Sequence, residues 1–210
     1  MIDTILTEES NLKVLEISNT MLEKTFHHHY HILYDLRTLL GEDKKTYVEI
    51  GTYAGGSASL VSSHPYQTES YSIDIGYPIN PEIPKANVQK YKNKDNDWTY
   101  ILGDSQKVET LNKLKTYVDG IDILFIDGDH SANGVNVDFN LYSPLVKSGG
   151  YLWFDDYLDF KYSPQVKPAV DNIVNEIDKN VWEVIGMIPN KYGSKPKEKE
   201  NLNGFLLRRK

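Results

Sequence analysis

The residues best suited to chemistry are four aspartates that come in two pairs, each after a strand-like run. Asp127 and Asp129 follow the apolar run IDILFI, and Asp155 and Asp156 follow the run YLWF. Neighbouring strands of a sheet lie about 5 Å apart, so adjacent strands would crowd these carboxylates into one small space. Such crowding raises carboxylate pKa values, and a hard divalent cation relieves it.

We expect Asp127, Asp155 and Asp156 to bind a metal ion, because all-oxygen ligand sets favour Mg²⁺, Mn²⁺ or Ca²⁺ over zinc. Asp129 is expected to point outward or to cap the next helix. His130 follows closely, and an imidazole can act as a general base near neutral pH. Asp127 and His130 are therefore the candidate catalytic residues. The alternatives are that the carboxylates are solvated and that His130 only packs or caps.

A second signal is the segment VEIGTYAGGSAS, which follows a strand-like run and opens a helix. Open α/β sheets bind nucleotide-like ligands at this place. The dinucleotide fingerprint would need a glycine at Tyr53, and its absence favours an adenosine ligand without a pyrophosphate. Asp74 lies 23 positions after Gly51, where an acidic residue can accept hydrogen bonds from ribose hydroxyls. An ordinary turn with a strand-end aspartate is the alternative.

A third, weaker signal is the segment ILGDSQ at the end of another strand-like run. Its Ser105 and Gln106 are placed to border an adenine ring. Asp104 and Ser105 also form an ordinary helix cap, so the segment alone does not decide between a ligand contact and a cap.

The elements that must position these residues alternate between strand and helix, which predicts parallel crossover units and an α/β fold. Two late runs, 182–188 and 205–208, lack a helix between them and predict an antiparallel pair at a sheet edge. The polar stretches 76–97 and 190–203 are predicted to be long loops. The other predicted strands are 47–50, 71–75, 98–102, 121–126 and 151–154, and the predicted helices between them are 57–62, 105–117, 133–145 and 164–177.

The N-terminal part of the chain lacks strand character. Apolar residues at steps of three and four predict an amphipathic helix over 21–40 that stops at Gly41. His27 and His31 are four residues apart on this helix, a spacing that can bind metal. The interpretation we prefer is a helix flank that carries histidines.

Composition restricts the class of protein. The chain has 210 residues, a net charge of −7 and no cysteine, which fits one domain and excludes disulfides, thiolate metal sites and cysteine nucleophiles. No basic stripe suggests a nucleic-acid partner. Neither a signal peptide nor an apolar run of about 20 residues is found, so we expect no membrane partner and a cytoplasmic protein.

Together these motifs resemble class I S-adenosylmethionine-dependent methyltransferases. More narrowly, they resemble the metal-dependent O-methyltransferases of the catechol and caffeoyl-CoA type and the bacterial sugar O-methyltransferase and cephalosporin-hydroxylase-like group. The resemblance runs from about Tyr47 to Lys210. It implies an N-terminal helical extension, 1–45, and a methyltransferase domain, 46–210. The implied fold is a Rossmann-like, doubly wound, seven-stranded sheet that is mostly parallel and has an antiparallel C-terminal strand.

The resemblance also implies residue roles. Asp127, Asp155 and Asp156 fall where the family places its metal ligands, although catechol and caffeoyl-CoA enzymes often have Asp-Asn in place of this Asp-Asp pair. His130 lies where some relatives carry a catalytic histidine and others a lysine. The implied binding residues for S-adenosylmethionine are Glu49, Gly51, Tyr53, Gly55, Ser57, Asp74, Asp104, Ser105 and Gln106.

The implied reaction is O-methyl transfer, assisted by Mg²⁺ or by Mn²⁺ or Ca²⁺, to a small-molecule substrate. The acceptor would be a vicinal diol of a sugar, a phenol or a natural-product precursor. A metal-dependent hydrolase or hydroxylase-like enzyme on the same fold, and a non-catalytic ligand-binding protein, remain as alternatives. The N-terminal helix could also pair with another copy to form a homo-oligomer.

Overall fold

The computed structural model describes residues 8–23, 27, 30–187 and 204–210. Seven strands form one mixed sheet with the order β3-β2-β1-β4-β5-β7-β6, which confirms the predicted fold class. None of the helices in these residues is long and apolar enough to cross a membrane. The strands are β1 Lys45–Ile50, β2 Thr68–Asp74, β3 Asp97–Leu102, β4 Ile121–Ile126, β5 Val146–Phe154, β6 Trp182–Met187 and β7 Phe205–Arg209. The helices are α1 Glu8–Thr20, α2 His31–Leu39, α3 Gly56–Ser62, α4 Glu82–Tyr91, α5 Val108–Lys115, α6 Ala132–Tyr142 and α7 Val166–Glu176.

The first five strands are parallel, and their register aligns three strand ends. Ile50 of β1 pairs with Ile126 of β4, and Ile126 pairs with Phe154 of β5. The strand order reverses direction between β1 and β4, which is the switch point where open α/β sheets bind ligands. Residues that follow these three strands therefore emerge side by side at one edge of the sheet.

Helices cover both faces of the sheet. The side chains of β4 are all buried, as its nearly continuous apolar sequence predicts for a central parallel strand. Leu124 and Ile126 pack in one cluster with α5, α6 and α7, whereas Ile123 and Phe125 pack in the other with α1, α2 and α3. Each large apolar side chain buried in this way contributes about 1.5–3 kcal/mol to folding.

The C-terminal strands form the predicted antiparallel pair. Strand β7 pairs antiparallel with both β5 and β6, so β7 lies inside the sheet and β6 forms its edge. The predicted loop over 190–203 lies outside the described residues.

The single predicted N-terminal helix over 21–40 is wrong. The chain instead forms α1 and α2, and residues 21–23 make a bend between them. Tertiary hydrogen bonds explain the bend, because the Leu22 N–H donates to Asn87 Oδ1 at 2.8 Å and the Asn87 amide donates to the Leu22 carbonyl. The predicted stop is correct: Gly41 has φ +81° and directly follows the C-cap of α2.

The predicted long loop over 76–97 is also wrong, because α4 occupies its middle. Pro81 directly precedes this helix and Pro84 lies in its first turn, positions that proline tolerates. Asn87 and Val88 are buried, and α4 packs on α3. Proline and charged residues are so frequent in this segment that its sequence does not predict a helix. The short helix forms because tertiary packing stabilises it.

Gly51 is required where β1 meets β4. It has φ +87°, and a Cβ built on it would lie 1.9 Å from the carbonyl oxygen of Asp127. Gly149 has a similar φ of +83°, but a Cβ there would meet nothing within 4 Å. The two positions therefore differ in available space and not in backbone conformation.

We predict that Gly51→Ala lowers the free energy of unfolding by about 3 kcal/mol or more, since the added methyl group must separate two paired strands. The matched variant Gly149→Ala should lose only about 1–2 kcal/mol, the cost of a left-handed backbone for alanine. Urea denaturation measures both. Equal losses would show that the close approach of β1 and β4 does not require glycine.

Candidate active site

A cavity of about 700 Å³ opens where β1, β4 and β5 end. Its wall joins the glycine segment after β1, the ends of β2 and β3, and the acidic residues after β4 and β5. The predicted site residues that line it are Gly51, Tyr53, Ser57, Asp74, Asp104, Ser105, Gln106, Asp127, His130 and Asp156.

Asp74 organises the turn on one side of this cavity. Its carboxylate accepts hydrogen bonds from the backbone N–H groups of Thr52 and Tyr53 at 2.8 and 3.0 Å, and from that of Gly76 at 2.6 Å. Tyr53 has φ +46°, a conformation that costs free energy for a residue other than glycine. The carboxylate of Asp74 thus fixes the loops after β1 and β2 while it lines the cavity.

Glu49 lies behind the cavity wall. Its carboxylate accepts hydrogen bonds at 2.7 Å from the hydroxyls of Tyr47, Ser57 and Ser72. Burial raises the pKa of Glu49 to about 7, even though these hydrogen bonds oppose the rise. Glu49 therefore acts on the cavity through Ser57, which lines it.

Gly55 also lies behind the wall. It has φ +79° at the start of α3, and a Cβ built there would lie 3.0 Å from the Cβ of Pro84. Gly55 thus allows a close contact between the glycine turn and α4, and any effect of Gly55 on a ligand in the cavity is indirect.

Gln106 and Asp129 connect the β3 and β4 ends of the cavity. The Gln106 amide donates to Asp129 Oδ2 at 2.9 Å. Asp129 is exposed and also accepts a hydrogen bond from the N–H of Ser131, which caps α6. Asp129 thus binds Gln106 and the start of α6; it lines the cavity but belongs to neither group of potential metal ligands found in the described residues.

His130 links two of the predicted metal ligands. Its Nε2 lies 3.2 Å from Asp127 Oδ1, and its Nδ1 lies 3.4 Å from Asp156 Oδ2. Ser163 donates its only hydroxyl proton to Asp156 at 2.7 Å, so the 2.9 Å contact with His130 requires Nδ1–H to donate to Ser163. Nε2–H donates to Asp127, and His130 is therefore an imidazolium in this arrangement.

The pKa values agree with that assignment. Burial alone would lower the pKa of His130, but the hydrogen bond to Asp127 and the surrounding carboxylates raise it to about 9. Burial, together with the other carboxylates, raises the pKa of Asp127 and of Asp155 to about 7. Burial of these negative charges therefore costs free energy, because it removes them from water.

One carboxylate oxygen of Asp156 is available to a ligand. This atom, Oδ1, is buried and has no hydrogen-bond partner among the described residues. Asp156 also has φ +56°, an uncommon conformation that clusters at functional sites. Two groups in this part of the chain bring three potential ligand atoms within 4.8 Å of one another: Asp127, His130 and Asp156 in one, and His27, Asp155 and Asp156 in the other.

Sequence reasoning missed two site residues from the N-terminal extension, and it assigned His27 to a helix flank. His27 instead precedes α2 and lines the cavity. Tyr30 is buried, and its hydroxyl donates to Asp127 Oδ2 at 3.3 Å. The run of histidines is a signal in the sequence, and the tertiary structure shows that His27 of this run lies near Asp155 and Asp156.

Comparisons with known proteins identify the family. A family model described as a methyltransferase domain matches residues 48–157, just over half of the 210-residue chain. The chain belongs to this methyltransferase family. An uncharacterized protein of Acanthamoeba polyphaga mimivirus is 41% identical over 187 residues, which cover 86% of this chain and 85% of that protein.

Solved methyltransferases share the fold. An O-methyltransferase from Bacillus cereus in complex with S-adenosylhomocysteine (SAH) aligns with a TM-score of 0.60 at 16% identity, over 100% of this chain and 99% of that one. MycE, a methyltransferase of mycinamycin biosynthesis solved with Mg and SAH, aligns with a TM-score of 0.60 at 15% identity. That alignment covers 97% of this methyltransferase but 54% of MycE.

We predict that the His130 imidazole of the chelator-treated protein titrates near pH 9. Asp127→Asn removes the charge nearest the ring and should lower that pKa by about one to two pH units. Asp171→Asn on α7 is the control, because Asp171 pairs with Lys167 instead. Nitrogen-detected NMR of the histidine rings measures all three, and an unchanged pKa in Asp127→Asn would contradict the assigned pair.

Proposed function

We propose that this methyltransferase transfers a methyl group from S-adenosylmethionine to a hydroxyl oxygen of a small acceptor, assisted by a divalent cation. The observation that carries the proposal is the meeting of two features in one cavity. The glycine turn with Asp74 forms one side, and Asp127, Asp156 and His130 form another. A donor and an acceptor bound on these two sides would be neighbours.

The cavity suits the methyl donor. Its volume of about 700 Å³ lies within the usual range for cofactor sites. We assign the ribose to Asp74, the methionine end to Gly51 and Ser57, and the adenine border to Ser105 and Gln106. Two similar structures contain SAH, the product form of this donor, which supports the assignment.

The acidic residues fit a hard cation. Asp127, Asp155 and Asp156 offer carboxylate oxygens, and the buried, unpartnered Asp156 Oδ1 fits a metal ligand. MycE, which shares the fold, was solved with Mg, which supports a role for a divalent cation. When bound, a divalent cation would neutralise the carboxylates and lower the pKa of a coordinated hydroxyl.

The chain's own residues would handle the proton. In the transfer, the acceptor oxygen bonds to the methyl carbon, the carbon–sulfur bond breaks and the hydroxyl proton must leave. His130 is an imidazolium in the arrangement seen, so it must lose its own proton before it can act as a base. A cation bound by Asp127 and Asp156 would favour that loss, because nearby positive charge lowers the pKa of the ring, and the neutral ring would then accept the hydroxyl proton. Ser163 orients the ring through Nδ1. Alignment of the reactants in the cavity supplies several kcal/mol of the rate enhancement.

We expect Asp74→Asn to weaken S-adenosylmethionine binding by about tenfold, or 1.4 kcal/mol, because a charged acceptor for the ribose is lost. The asparagine keeps an oxygen that can still accept from the turn, so the fold should persist. Asp97→Asn, at the exposed start of the neighbouring β3, is the matched control. Calorimetric titration measures the affinities, and equal affinities for both variants would remove Asp74 from the ribose site.

Chelation tests the metal role. We expect turnover on a vicinal diol to stop with excess chelator and to return with Mg²⁺ or Mn²⁺, since the cation would bind the acceptor and not the donor. Affinity for S-adenosylmethionine should be unchanged by the chelator, which provides the internal control. Full turnover in the chelator would refute the metal role and leave the methyl-donor assignment intact.

A further inference from the structure

His27, like Tyr30, is a residue of the N-terminal extension that lies against the acidic cluster. A ring nitrogen of His27 and carboxylate oxygens of Asp155 and Asp156 all lie within 4.8 Å of one another. His27 belongs to the segment between α1 and α2 and not to the region that the family model matches.

The position of the His27 ring is held by Tyr30. The two rings stack with centroids 5.3 Å apart and planes 20° from parallel. Tyr30 is itself fixed, since it is buried, packs edge-on against Phe125 and donates to Asp127. The carbonyl of His27 also accepts the Tyr30 N–H at 3.0 Å. The imidazole therefore lies near Asp155 and Asp156 and stacks on a tyrosine that is buried and hydrogen-bonded.

We propose that His27 is a protein ligand of the divalent cation, together with Asp155 and Asp156. This inference rests on the proposed metal role and extends it to a residue outside the methyltransferase domain. The buried Asp156 Oδ1, which has no hydrogen-bond partner in the described residues, supplies the second observation that points to a cation here.

A nitrogen ligand changes which cation the site prefers. Carboxylate oxygens alone suit Mg²⁺, whereas imidazole nitrogen favours first-row transition metals. A mixed set of one imidazole and aspartates binds Mn²⁺ more tightly than Mg²⁺, because Mg²⁺ gains little from nitrogen. His130 is less suited to this role in the arrangement seen, since both of its ring nitrogens bind Asp127 and Ser163.

The proposal also links the extension to the metal. A cation bound by His27 would join the segment before α2 to the end of β5, so loading the site would stabilise the packing of Tyr30 over the cavity. The N-terminal extension would then be part of the catalytic centre and not only a cover for one face of the sheet.

The test uses the full chain, stripped of metal and titrated with Mn²⁺ and with Mg²⁺. His27→Gln should lower Mn²⁺ affinity by at least about tenfold, as expected for loss of a ligand, and Mg²⁺ affinity by less. Pulsed electron paramagnetic resonance of bound Mn²⁺ should show a nitrogen coupling in the unaltered protein that His27→Gln abolishes. His29→Gln is the control, because it changes another histidine of the same run.

The outcomes separate this inference from the proposed function. Retention of both the nitrogen coupling and the Mn²⁺ affinity in His27→Gln would overturn the role of His27 and leave the metal role intact. Equal losses in His27→Gln and His29→Gln would also overturn it, since the effect would not be specific to His27. Failure of the unaltered protein to bind either cation would overturn this inference and the metal role together.

Discussion

The site depends on the register of three parallel strands. Backbone hydrogen bonds from Asp127 to the Ile50 carbonyl, at 2.8 Å, and from Asp155 to the Ile126 carbonyl, at 3.0 Å, continue the strand pairing past the strand ends. This pairing places the glycine turn beside Asp127, and Asp127 beside Asp155. A shift of one residue in either pair would turn these side chains to the opposite face of the sheet. The buried apolar residues of β4 hold that register, so the core and the site are parts of one constraint.

The same register creates an electrostatic cost. Three carboxylates come together at a buried edge, and burial and mutual repulsion raise the pKa of Asp127 and Asp155 to about 7. The protein offsets part of this cost with donors from three directions: Tyr30 from the extension, His130 after β4 and Ser163 beyond β5. A site this unfavourable would not be expected of a purely structural sheet edge, and it is well suited to hold positive charge.

Much of this arrangement is predictable from the sequence, because it follows from local rules. An apolar run as short as 121–126 is typical of a covered strand, and residues directly after neighbouring parallel strands share an edge. The glycine turn and Asp74 are also readable, since their spacing reflects one strand–helix–strand unit. The surroundings of Glu49 are harder to predict, because alternation along β1 does not reveal that three hydroxyls enclose its carboxylate.

The errors fall where distant residues decide the local structure. The bend at Leu22 depends on Asn87, which lies in a helix that was itself mistaken for a loop. Tyr30, which stacks on His27, likewise owes its place to distant residues, namely Phe125 and Asp127. Periodicity within one segment contains no information on such pairings, so the wall that the extension contributes could not be predicted from the sequence.

The division of the cavity wall has a consequence for how this enzyme family can diversify. The side of the cavity that we propose for the methyl donor is built within one continuous stretch, from the glycine turn to the residues after β3. Another part of the wall comes from His27 and Tyr30, far earlier in the chain. Under the roles proposed for these two sides, exchange of the leading segment between relatives would change the surroundings of the acceptor and leave the residues for the methyl donor unaltered.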